Sequence, residues 1–315
     1  MKTVSVVMCT FNGELFLREQ IDSLIRQTYP IHEIIIQDDG STDCTLQIAS
    51  AYQQRYPDYN IKIYSNPRQL GFNRNFFSAI LKATGDFIAC CDQDDIWEAS
   101  KLEVLISEIG ENSLIYHNSI LFNQTGELGR LHKKPLPRLT SSLSAILMPQ
   151  SFGHQILFRK EIITALRPFT DFNLSYDYFI YTISTSIGPV KYTDTPLVRW
   201  RRHNHAATFS GKKKSASKWK GYWTALKALS NTANRNTTSR YFQLCRQIHF
   251  QEKDTNTVIQ NMSTGKLADI LKTCYLCLKY RKELVTDKKG IIAYLRAFFI
   301  PLFFIRDYGS YIIRD

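Results

Sequence analysis

Short apolar runs rich in β-branched residues alternate with helix-like stretches over the first 120 residues of the chain. The stretch 14–26, for example, carries its apolar residues at the spacing of one helical face. Strands that alternate with helices form a parallel sheet, because each connection must return to the same end of the sheet. We therefore expect an α/β fold with a mostly parallel sheet flanked by helices. The predicted strands are Val4–Cys9, Glu33–Gln37, Ile61–Ser65 and Asp86–Cys91.

A polar turn follows three of these predicted strands, at 10–14, 38–43 and 92–95. In open parallel sheets, ligands bind beyond the carboxyl ends of the strands. We therefore expect the three turns to converge on one crevice.

The turn at 92–95 has the character of a metal and phosphate site. Asp92-Gln93-Asp94-Asp95 places three carboxylates directly after an apolar strand. Carboxylates spaced one residue apart can reach a hard divalent cation together with the phosphates or sugar that it binds. The sequence contains no glycine-rich phosphate loop, so a metal held by carboxylates is the natural substitute. The alternative is a solvated acidic turn, since this spacing is common by chance.

Two further acids are candidates for function. Asp39 follows Asp38 in a turn where helix capping needs only one such group, so its carboxylate could accept the N3–H of a uracil or thymine ring. Asp177 begins a predicted helix among aromatic residues, where an acid is usually a cap or a dipole partner. Burial among rings would raise the pKa of Asp177 toward the range of a general base.

The run from 199 to 205 is rich in arginine and histidine. Arg201 or Arg202 could neutralise a diphosphate, because guanidinium groups pair well with phosphate. His203 could ligate a metal ion through its imidazole ring. The alternative is a basic strand edge that leads into a solvated loop.

The middle of the chain is less regular. A loop-like stretch with three prolines runs from about 124 to 150. The elements predicted after it are a strand over Gly153–Phe158, helices over 160–167 and 176–186, and two short strands over Val190–Tyr192 and Pro196–Arg201.

The basic charge of the chain is concentrated in its C-terminal third. The net charge is +12, yet residues 1–210 carry 20 Lys and Arg against 21 Asp and Glu, whereas residues 211–315 carry 20 against 7. A surplus of this size indicates a polyanionic partner. The helices predicted in this region are 217–230, 238–251, 265–282 and 290–305.

One candidate partner is nucleic acid, because Lys212, Lys213 and Lys214 lie close to Trp219 and Trp223 in the sequence. The acidic turns and the near-neutral charge of the sheet region argue against it. We therefore expect no nucleic-acid partner, and steep salt-dependent binding to DNA would contradict this.

The other candidate partner is a membrane. The longest apolar run, 291–305, has about 15 residues, short of the roughly 20 that a bilayer-spanning helix needs. Arg296 and Pro301 interrupt it, and Lys288 and Lys289 flank it, a pattern typical of segments that lie in a membrane interface. We therefore expect 288–315 to associate with an anionic membrane surface. The alternative is a C-terminal helix packed on its own domain.

The cysteines and the N-terminus favour a reducing compartment. The sequence has seven cysteines, an odd number, and its first residues lack the apolar region of a signal peptide. We expect a cytoplasmic protein in which Cys9, Cys90 and Cys91 are core residues of strands. Cys274 and Cys277 are expected in a helical core rather than in a zinc or redox site.

Five motifs follow one another along the chain: Val4–Gly13, Ile34–Asp43, Asn66 with Gly71 and Arg74-Asn75, Gly85–Ile88, and Asp92–Trp97. In this order they resemble the family 2 glycosyltransferases, which have a GT-A fold. The resemblance is strong over residues 1–110 and recognisable to about 208. The Tyr176-Asp177 pair and the arginine and histidine run resemble the bacterial rhamnosyltransferase-like branch.

The resemblance implies a Rossmann-like catalytic domain over 1–208, with a nucleotide-sugar half (about 1–120) and an acceptor half (about 121–208), followed by a basic helical extension over 209–315. It also implies roles for single residues. Asp177 would be the catalytic base, and Asp94, with Asp92 and His203, would hold the metal. The residues implied to bind the nucleotide sugar are Thr10, Phe11, Asn12, Asp39, Arg74, Asp92, Arg201 and Arg202, and those implied on the acceptor side are Gly153, His154 and Tyr176.

The activity implied is inverting, metal-dependent transfer of a sugar, with Mn²⁺ or Mg²⁺, from a nucleoside-diphosphate sugar to a lipid-linked saccharide at the inner face of the cell membrane. dTDP-rhamnose is the leading donor, and UDP-galactose, UDP-glucose and an N-acetylhexosamine donor remain open. Tyr176 stands where the family usually has Glu or His, which affects the expected acceptor contacts. A catalytically silent sugar-nucleotide binding module is the remaining alternative.

Overall fold

The computed structural model describes residues 2–136, 141–148, 151–203, 218–285, 288–309 and 312–314. Within these residues, a nine-stranded mixed sheet has helices on both faces. A group of C-terminal helices packs against the helices on one of these faces. The predicted α/β class with a helical C-terminal region is confirmed.

The first half of the sheet is parallel, as the alternation of strands and helices predicts. Its elements are β1 (Val4–Thr10), α1 (Leu17–Ile25), β2 (Glu33–Asp38), α2 (Thr45–Arg55), β3 (Ile61–Ser65), α3 (Phe72–Ile80) and β4 (Phe87–Asp92). The strand order is β3-β2-β1-β4, and each neighbouring pair is parallel. Helices cover both faces of β1 and β4, so these strands are apolar almost throughout instead of alternating with polar residues.

The second half of the sheet is mixed. Its elements are β5 (Ile96–Trp97), α4 (Lys101–Glu108), β6 (Leu114–Asn123), β7 (Gly126–Arg130), α5 (Ser142–Leu147), β8 (Ile156–Arg159), α6 (Glu161–Leu166), β9 (Asn173–Leu174), α7 (Tyr176–Ile187) and β10 (Val190–Arg201). The strand β8 lies antiparallel between β4 and β6, and β10 runs parallel to β6. Two reversals restore the direction, so the carboxyl end of β10 lies at the same edge of the sheet as the ends of β1, β2 and β4.

Two expectations for this half were wrong in detail. The stretch 124–150 contains β7 and α5, so only part of it is loop. The two short strands expected before residue 202 form one strand, β10, whose pairing with β6 shifts register around Pro196. A proline is tolerated there because the irregular register leaves its missing N–H without a required partner.

The C-terminal region consists of helices followed by a short strand. The elements are α8 (Lys218–Ala228), α9 (Thr232–Cys245), α10 (Lys253–Ser263), α11 (Leu267–Lys279), α12 (Arg281–Leu284), α13 (Gly290–Tyr308) and β11 (Ile313–Arg314). The sequence did not predict α10 as a separate helix. The lysine run at 212–214 lies outside the described residues, as does the side chain of Trp219.

The terminal helix α13 packs into the protein over most of its length. Phe299, Ile300, Leu302, Phe304 and Ile305 are all buried, and they belong to one hydrophobic core with α5, α7 and α9. Only the first turn of α13 leaves large apolar side chains exposed. Most of α13 therefore packs on the protein itself, which was the alternative to membrane association for the segment 288–315.

Residues 312–314 lie against the segment that precedes α7. The strand β11 pairs with β9, and the Ser175 N–H donates to the Ile312 carbonyl at 3.0 Å. Ser175 directly precedes α7, which carries Asp177 in its first turn, so these C-terminal residues hold the segment that leads into the expected base.

In the described part of the chain, none of the helices combines the length and hydropathy needed to cross a membrane. The expected core placement of five cysteines is confirmed: Cys9, Cys90 and Cys91 are buried in strands, and Cys274 and Cys277 are buried on α11.

Candidate active site

The three polar turns converge on one open cavity of about 810 Å³ at the carboxyl edge of the sheet. This confirms the expectation of a common crevice. The end of β10 and the residues after it complete the wall. Residues from each segment line the cavity, among them Thr10, Phe11, Asn12, Asp39, Asp92, Gln93, Asp94, Trp200 and His203.

Side chains of the turns fasten them to one another. The Gln93 amide donates to the Phe11 carbonyl at 3.0 Å, and its oxygen accepts the Phe11 N–H at 2.9 Å. Asn12, in the left-handed region with φ 47°, accepts the Thr42 N–H at 2.9 Å, and its own N–H donates to the Ser41 hydroxyl. Asparagine tolerates this backbone conformation better than most residues. The cavity wall is therefore a hydrogen-bonded unit rather than three independent loops.

The two acids of the second turn have different surroundings. Asp38 is structural, because it accepts hydrogen bonds from the Thr10 and Ser41 hydroxyls and from the N–H groups of Gly40 and Ser41. Asp39 lines the cavity.

The Asp39 carboxylate is held in place from within the protein. Its Oδ1 accepts from the Asn66 amide and the Leu70 N–H, both at 2.7 Å, and its Oδ2 accepts from the Gly71 N–H at 2.8 Å. A carboxylate oxygen can accept about two hydrogen bonds, so Oδ2 keeps capacity for a ligand donor.

Asp94 and His203 form a pair of metal-ligand type on the cavity wall. The Asp94 Oδ2 and the His203 Nε2 lie 2.7 Å apart, and the two side chains are 19% and 16% exposed. Phe16 packs against the imidazole with its ring centre 4.7 Å away. Carboxylate oxygen with imidazole nitrogen is a donor set that suits Mn²⁺ and related divalent ions, so these residues fit such a metal.

A second group of ligand type lies just beneath. Oxygen atoms of Asp92 and Asp95 and a ring nitrogen of His154 lie within 4.8 Å of one another. Asp95 and His154 are buried and do not line the cavity, whereas Asp94 and His203 do. A metal that must also reach a ligand in the cavity is therefore better placed at Asp94 and His203.

The pKa of Asp92 is raised by burial, and then by the neighbouring carboxylates of Asp94 and Asp177. The pKa of Asp95 is raised by burial, and then by Asp94 and Asp92. Concentrated negative charge of this kind favours the binding of a cation.

Lys101 is the cation enclosed with these acids. It is fully buried, its Nζ donates to the His154 carbonyl at 2.8 Å, and it lies 3.3 Å from the centre of the Trp97 ring. Burial lowers the pKa of Lys101 to about 7, while nearby thiols and carboxylates, including Asp95, oppose the shift. Lys101 thus supports the acidic turn from inside.

The arginines expected at the diphosphate do not line the cavity. The Arg201 guanidinium is bound to Glu19 at 2.6 Å and to the Asp94 carbonyl at 2.7 Å, so it holds the acidic turn from behind. The Arg202 guanidinium stacks on the cavity-lining ring of Trp200 at 4.6 Å. Arg74 donates to the Asp171 carbonyl and is not among the residues that line the cavity. That Arg74, Arg201 and Arg202 contact the nucleotide sugar stays a prediction.

Asp177 occupies the first turn of α7 beside this wall. Burial raises its pKa, although hydrogen bonds from the Ser175 hydroxyl (2.9 Å) and the Tyr178 N–H (2.8 Å) oppose the shift. It is not among the residues that line the cavity, but it is close enough to Asp92 to raise that group's pKa. Asp177 therefore lies near the acidic turn, and its role as a base stays a prediction.

The acceptor-side residues lie beneath the surface rather than on it. Tyr176 is buried and stacks on Phe76 with ring centres 4.0 Å apart. Gly153 approaches so closely that an added Cβ would lie 1.6 Å from the Tyr176 hydroxyl. His154 is also buried, with Nε2 3.0 Å from the Ser119 hydroxyl and Nδ1 3.9 Å from Asp92. His154 thus lies beside Asp92 and Gly153 packs against Tyr176, and the acceptor-side role of the three residues stays a prediction.

Sequence reasoning missed three residues that shape the site: Gln93, Lys101 and Trp200. Gln93 was seen only as a spacer between acids, although a polar side chain between two strand ends could have suggested a link. Lys101 lies at the start of an amphipathic helix, where a lysine normally faces solvent. Trp200 lies within the run of arginine and histidine from 199 to 205, and its place on the cavity wall depends on the register of β10.

Residues 5–167 match the family model described as glycosyl transferase family 2. An uncharacterized glycosyltransferase of Haemophilus influenzae is 35% identical over 41% of this chain and 41% of its own length. The UDP-Glc:alpha-D-GlcNAc-diphosphoundecaprenol beta-1,3-glucosyltransferase WfgD of Escherichia coli is 34% identical over 40% of this chain and 49% of its own length. The chain thus matches less than half the length of these two relatives.

The dTDP-rhamnosyl transferase RfbG of Shigella flexneri is 26% identical over 63% of this chain and 72% of its own length. Among solved structures, residues 1–349 of S. aureus TarS in complex with UDP superpose with a TM-score of 0.56 at 16% identity, covering 96% of this chain and 89% of that one. The mannosyltransferase PcManGT from Pyrobaculum calidifontis, in complex with GDP-Man and Mn²⁺, superposes with a TM-score of 0.53 at 16% identity, covering 94% of this chain and 79% of that one.

The structural likeness concerns the fold, which is of the GT-A type. The family match covers more than half of the chain and includes the three turns that form the cavity. The chain belongs to glycosyl transferase family 2.

Proposed function

We propose that this protein is an inverting, metal-dependent hexosyltransferase that moves a sugar from a nucleoside-diphosphate sugar to a hydroxyl of a lipid-linked saccharide. The observation that carries the proposal is the convergence of Asp39, Asp94 and His203 on one cavity, with Asp177 beside it. Asp39 is suited to bind the nucleobase, Asp94 and His203 are suited to hold a metal with the diphosphate, and Asp177 is suited to accept a proton.

The nucleoside would bind between the first two turns. Thr10, Phe11 and Asn12 would line its pocket, and Asp39 Oδ2, which accepts from Gly71, would accept the N3–H of uracil or thymine. dTDP-rhamnose remains the leading donor and a UDP-hexose the main alternative. The similarity to the dTDP-rhamnosyl transferase RfbG supports the first donor, and the similarity to the UDP-Glc-dependent WfgD and to TarS, solved with UDP, supports the second.

The diphosphate would lie against the acidic turn. Asp94 and His203 would hold a divalent metal, which supplies Lewis-acid stabilisation of the leaving group. Asp92 would contact the ribose or the transferred sugar, as the resemblance implies. Arg201 would act by positioning Asp94, through the hydrogen bond to its carbonyl.

The chemical step transfers one proton and exchanges one bond. Asp177 takes the proton of the acceptor hydroxyl, and the oxygen attacks the anomeric carbon from the face opposite the diphosphate. The bond from the anomeric carbon to the diphosphate oxygen breaks, so the configuration inverts. The raised pKa of Asp177 makes it a stronger base than an ordinary aspartate.

We also propose a cytoplasmic location with peripheral attachment to the inner face of the cell membrane, and no nucleic-acid partner. The name of WfgD includes a diphosphoundecaprenol acceptor, which supports a lipid-linked substrate in polysaccharide synthesis. Residues 1–208 would be the catalytic domain, and 209–315 would provide the attachment.

The test is a panel of nucleotide sugars incubated with the purified protein and Mn²⁺, Mg²⁺ or chelator, followed by detection of the released nucleoside diphosphate. We expect turnover of a dTDP- or UDP-sugar with metal and its loss with chelator. Binding of a donor without any turnover would favour the silent binding module. A protein that neither binds nor turns over any donor, yet binds DNA, would favour the nucleic-acid alternative.

A further inference from the structure

We propose that an exposed apolar surface formed by α11 and the first turn of α13 docks the protein onto an anionic lipid bilayer. We call this surface the docking face. The inference rests on the proposed function, because a lipid-linked acceptor is presented at a bilayer. The docking face consists of Leu267, Leu271, Tyr275, Ile291, Ile292 and Tyr294, all exposed.

The helix α11 is apolar on two sides. Ile270, Cys274 and Cys277 are buried in the core, so they account for the packing of the helix. Leu267, Leu271 and Tyr275, spaced four residues apart, form a second row along the solvent side, where Tyr275 is 66% exposed. Folding does not require this outer row, and contiguous exposed apolar residues of this kind mark interaction sites.

The first turn of α13 continues the row. Tyr275 packs edge-on against Phe298 with ring centres 5.3 Å apart, and the Arg281 guanidinium lies 4.3 Å from the Tyr294 ring. Tyr275 of α11 thus contacts the middle of α13, and Arg281 of α12 contacts α13 near its start, so the two exposed sets lie on neighbouring elements. Ile291 is 84% exposed, the largest value among the exposed apolar residues of the described chain.

The positive charge around the docking face favours an anionic membrane as its partner. Residues 266–296 carry eight Lys and Arg against three Asp and Glu, and the exposed Lys282 and Lys289 lie in the stretch of sequence between the two parts of the docking face. Apolar side chains framed by lysines are typical of elements that lie in the interface of an anionic membrane. Nucleic acid would leave the leucine row unused, and a second copy of this basic surface would be repelled.

The docking face needs to enter the bilayer only to a small depth. Interfacial elements bury their apolar face about 5–10 Å into the headgroup region. The side chains of the docking face can enter that region while α13 stays in the protein core, which agrees with the finding that, among the described helices, none is suited to cross a bilayer.

The experiment is flotation of the full-length protein with vesicles of phosphatidylethanolamine and phosphatidylglycerol, and with vesicles of phosphatidylcholine alone. Wild-type protein should float with the anionic vesicles and much less with the neutral ones. Leu271→Glu/Ile291→Glu should lower the bound fraction on anionic vesicles by about tenfold or more, since two apolar anchors are lost. Lys282→Gln/Lys289→Gln should weaken anionic binding and its salt dependence.

The matched control is Leu128→Glu/Ile187→Glu, which makes the same change at exposed positions on β7 and at the end of α7. It should float like the wild type, and circular dichroism should show all variants folded. A docking variant that floats like the wild type would overturn the inference, as would a wild type that floats with neither vesicle.

Donor hydrolysis measured without lipid separates this inference from the proposed function. The docking variant should hydrolyse donor as the wild type does. If the wild type hydrolyses donor but does not prefer anionic vesicles, only the docking face is rejected. If the wild type prefers anionic vesicles but hydrolyses no donor, only the proposed enzyme activity is rejected.

Discussion

The imidazole Nε2 of His203 lies 2.7 Å from Oδ2 of Asp94, although 109 residues separate them in the chain. The strand β10 brings His203 to the sheet edge where β4 ends in the acidic turn. The topology of the sheet thus brings the pair together. It joins the acidic turn at 92–95 and the arginine and histidine run at 199–205, each of which the sequence alone left with two interpretations.

Asp94→Ala and His203→Ala should each reduce metal-dependent transfer by at least about a hundredfold, because the leaving group loses its counter-charge. Titration with Mn²⁺ monitored by electron paramagnetic resonance should show weaker binding in both variants. Glu111→Ala, which removes an exposed acid elsewhere, is the control. Unchanged Mn²⁺ binding in both variants would place the metal elsewhere, with Asp92, Asp95 and His154 as the next group to test.

Asp177→Asn should lower the rate of transfer by about 10²–10⁴-fold, the usual contribution of a positioned base, while the protein stays folded. Because burial raises the pKa of Asp177, the rate in wild type should fall with decreasing pH at a higher pH than for an ordinary aspartate. Asp171→Asn changes an exposed acid in the preceding turn and should be nearly neutral. Near-normal turnover by Asp177→Asn would disprove the assignment of the base.

Deletion of residues 312–315 should lower both stability and transfer. It removes two buried isoleucines, Ile312 and Ile313, and the carbonyl that accepts the Ser175 N–H. We expect a loss of at least about 2 kcal/mol in the free energy of unfolding, measured with urea, and a lower rate because the start of α7, which carries Asp177, is held less firmly. Ile312→Val, which keeps the backbone contact, should cost about 1 kcal/mol and leave the rate nearly unchanged. Equal rates in the deletion and the wild type would show that the tail does not position the base.

Deletion of the whole segment 288–315 is a poor test of membrane attachment. It would remove Phe299, Leu302 and Phe304 from the hydrophobic core, so we expect an unfolded or insoluble protein. Substitutions on the docking face avoid this problem.

Glu33→Gln should change how stability depends on pH. The Glu33 side chain is fully buried, and although burial would raise its pKa, hydrogen bonds from Lys62, Ser5 and Thr84 lower the pKa from 4.5 to about 2. A lowered pKa contributes stability above pH 4.5 that is lost as the pH falls toward 2, here about 3 kcal/mol. Thermal or urea unfolding should show this loss in the wild type and little of it in the variant. The same acid sensitivity in both would contradict the role of Glu33.

Local patterns predicted the first half of the fold well. Each strand from β1 to β4 was indicated by a short apolar run, and the convergence of their turns follows from the geometry of parallel sheets. The second half was harder, because β8 enters between β4 and β6 against the direction of both, and no local signal shows which strands will be neighbours. The division of β10 into two strands was wrong for the same reason: Pro196 resembles a break, but the register shift with β6 accommodates it.

The candidate site likewise contains residues that the sequence indicated and residues whose position only the structure shows. Asp39, Asp94, Asp177 and His203 could be chosen from the sequence because each lies in a turn or at a helix start with suitable chemistry. Arg201 was placed at the diphosphate, yet pairing with Glu19 and with the Asp94 backbone holds its guanidinium behind the turn. Lys101 could not be foreseen, because burial of a lysine depends on the acids and the ring that surround it.

The sequence by itself determined the alternation of strands and helices, the acidic turns at their ends, and the concentration of basic charge after residue 210. These are local properties, set by composition and by short spacings. Only the tertiary structure decided that α13 lies mainly in the core, that β11 holds the segment before α7, and that α11 presents the apolar row. Which face of an apolar helix is covered depends on contacts between residues far apart in the chain, and periodicity alone does not contain them.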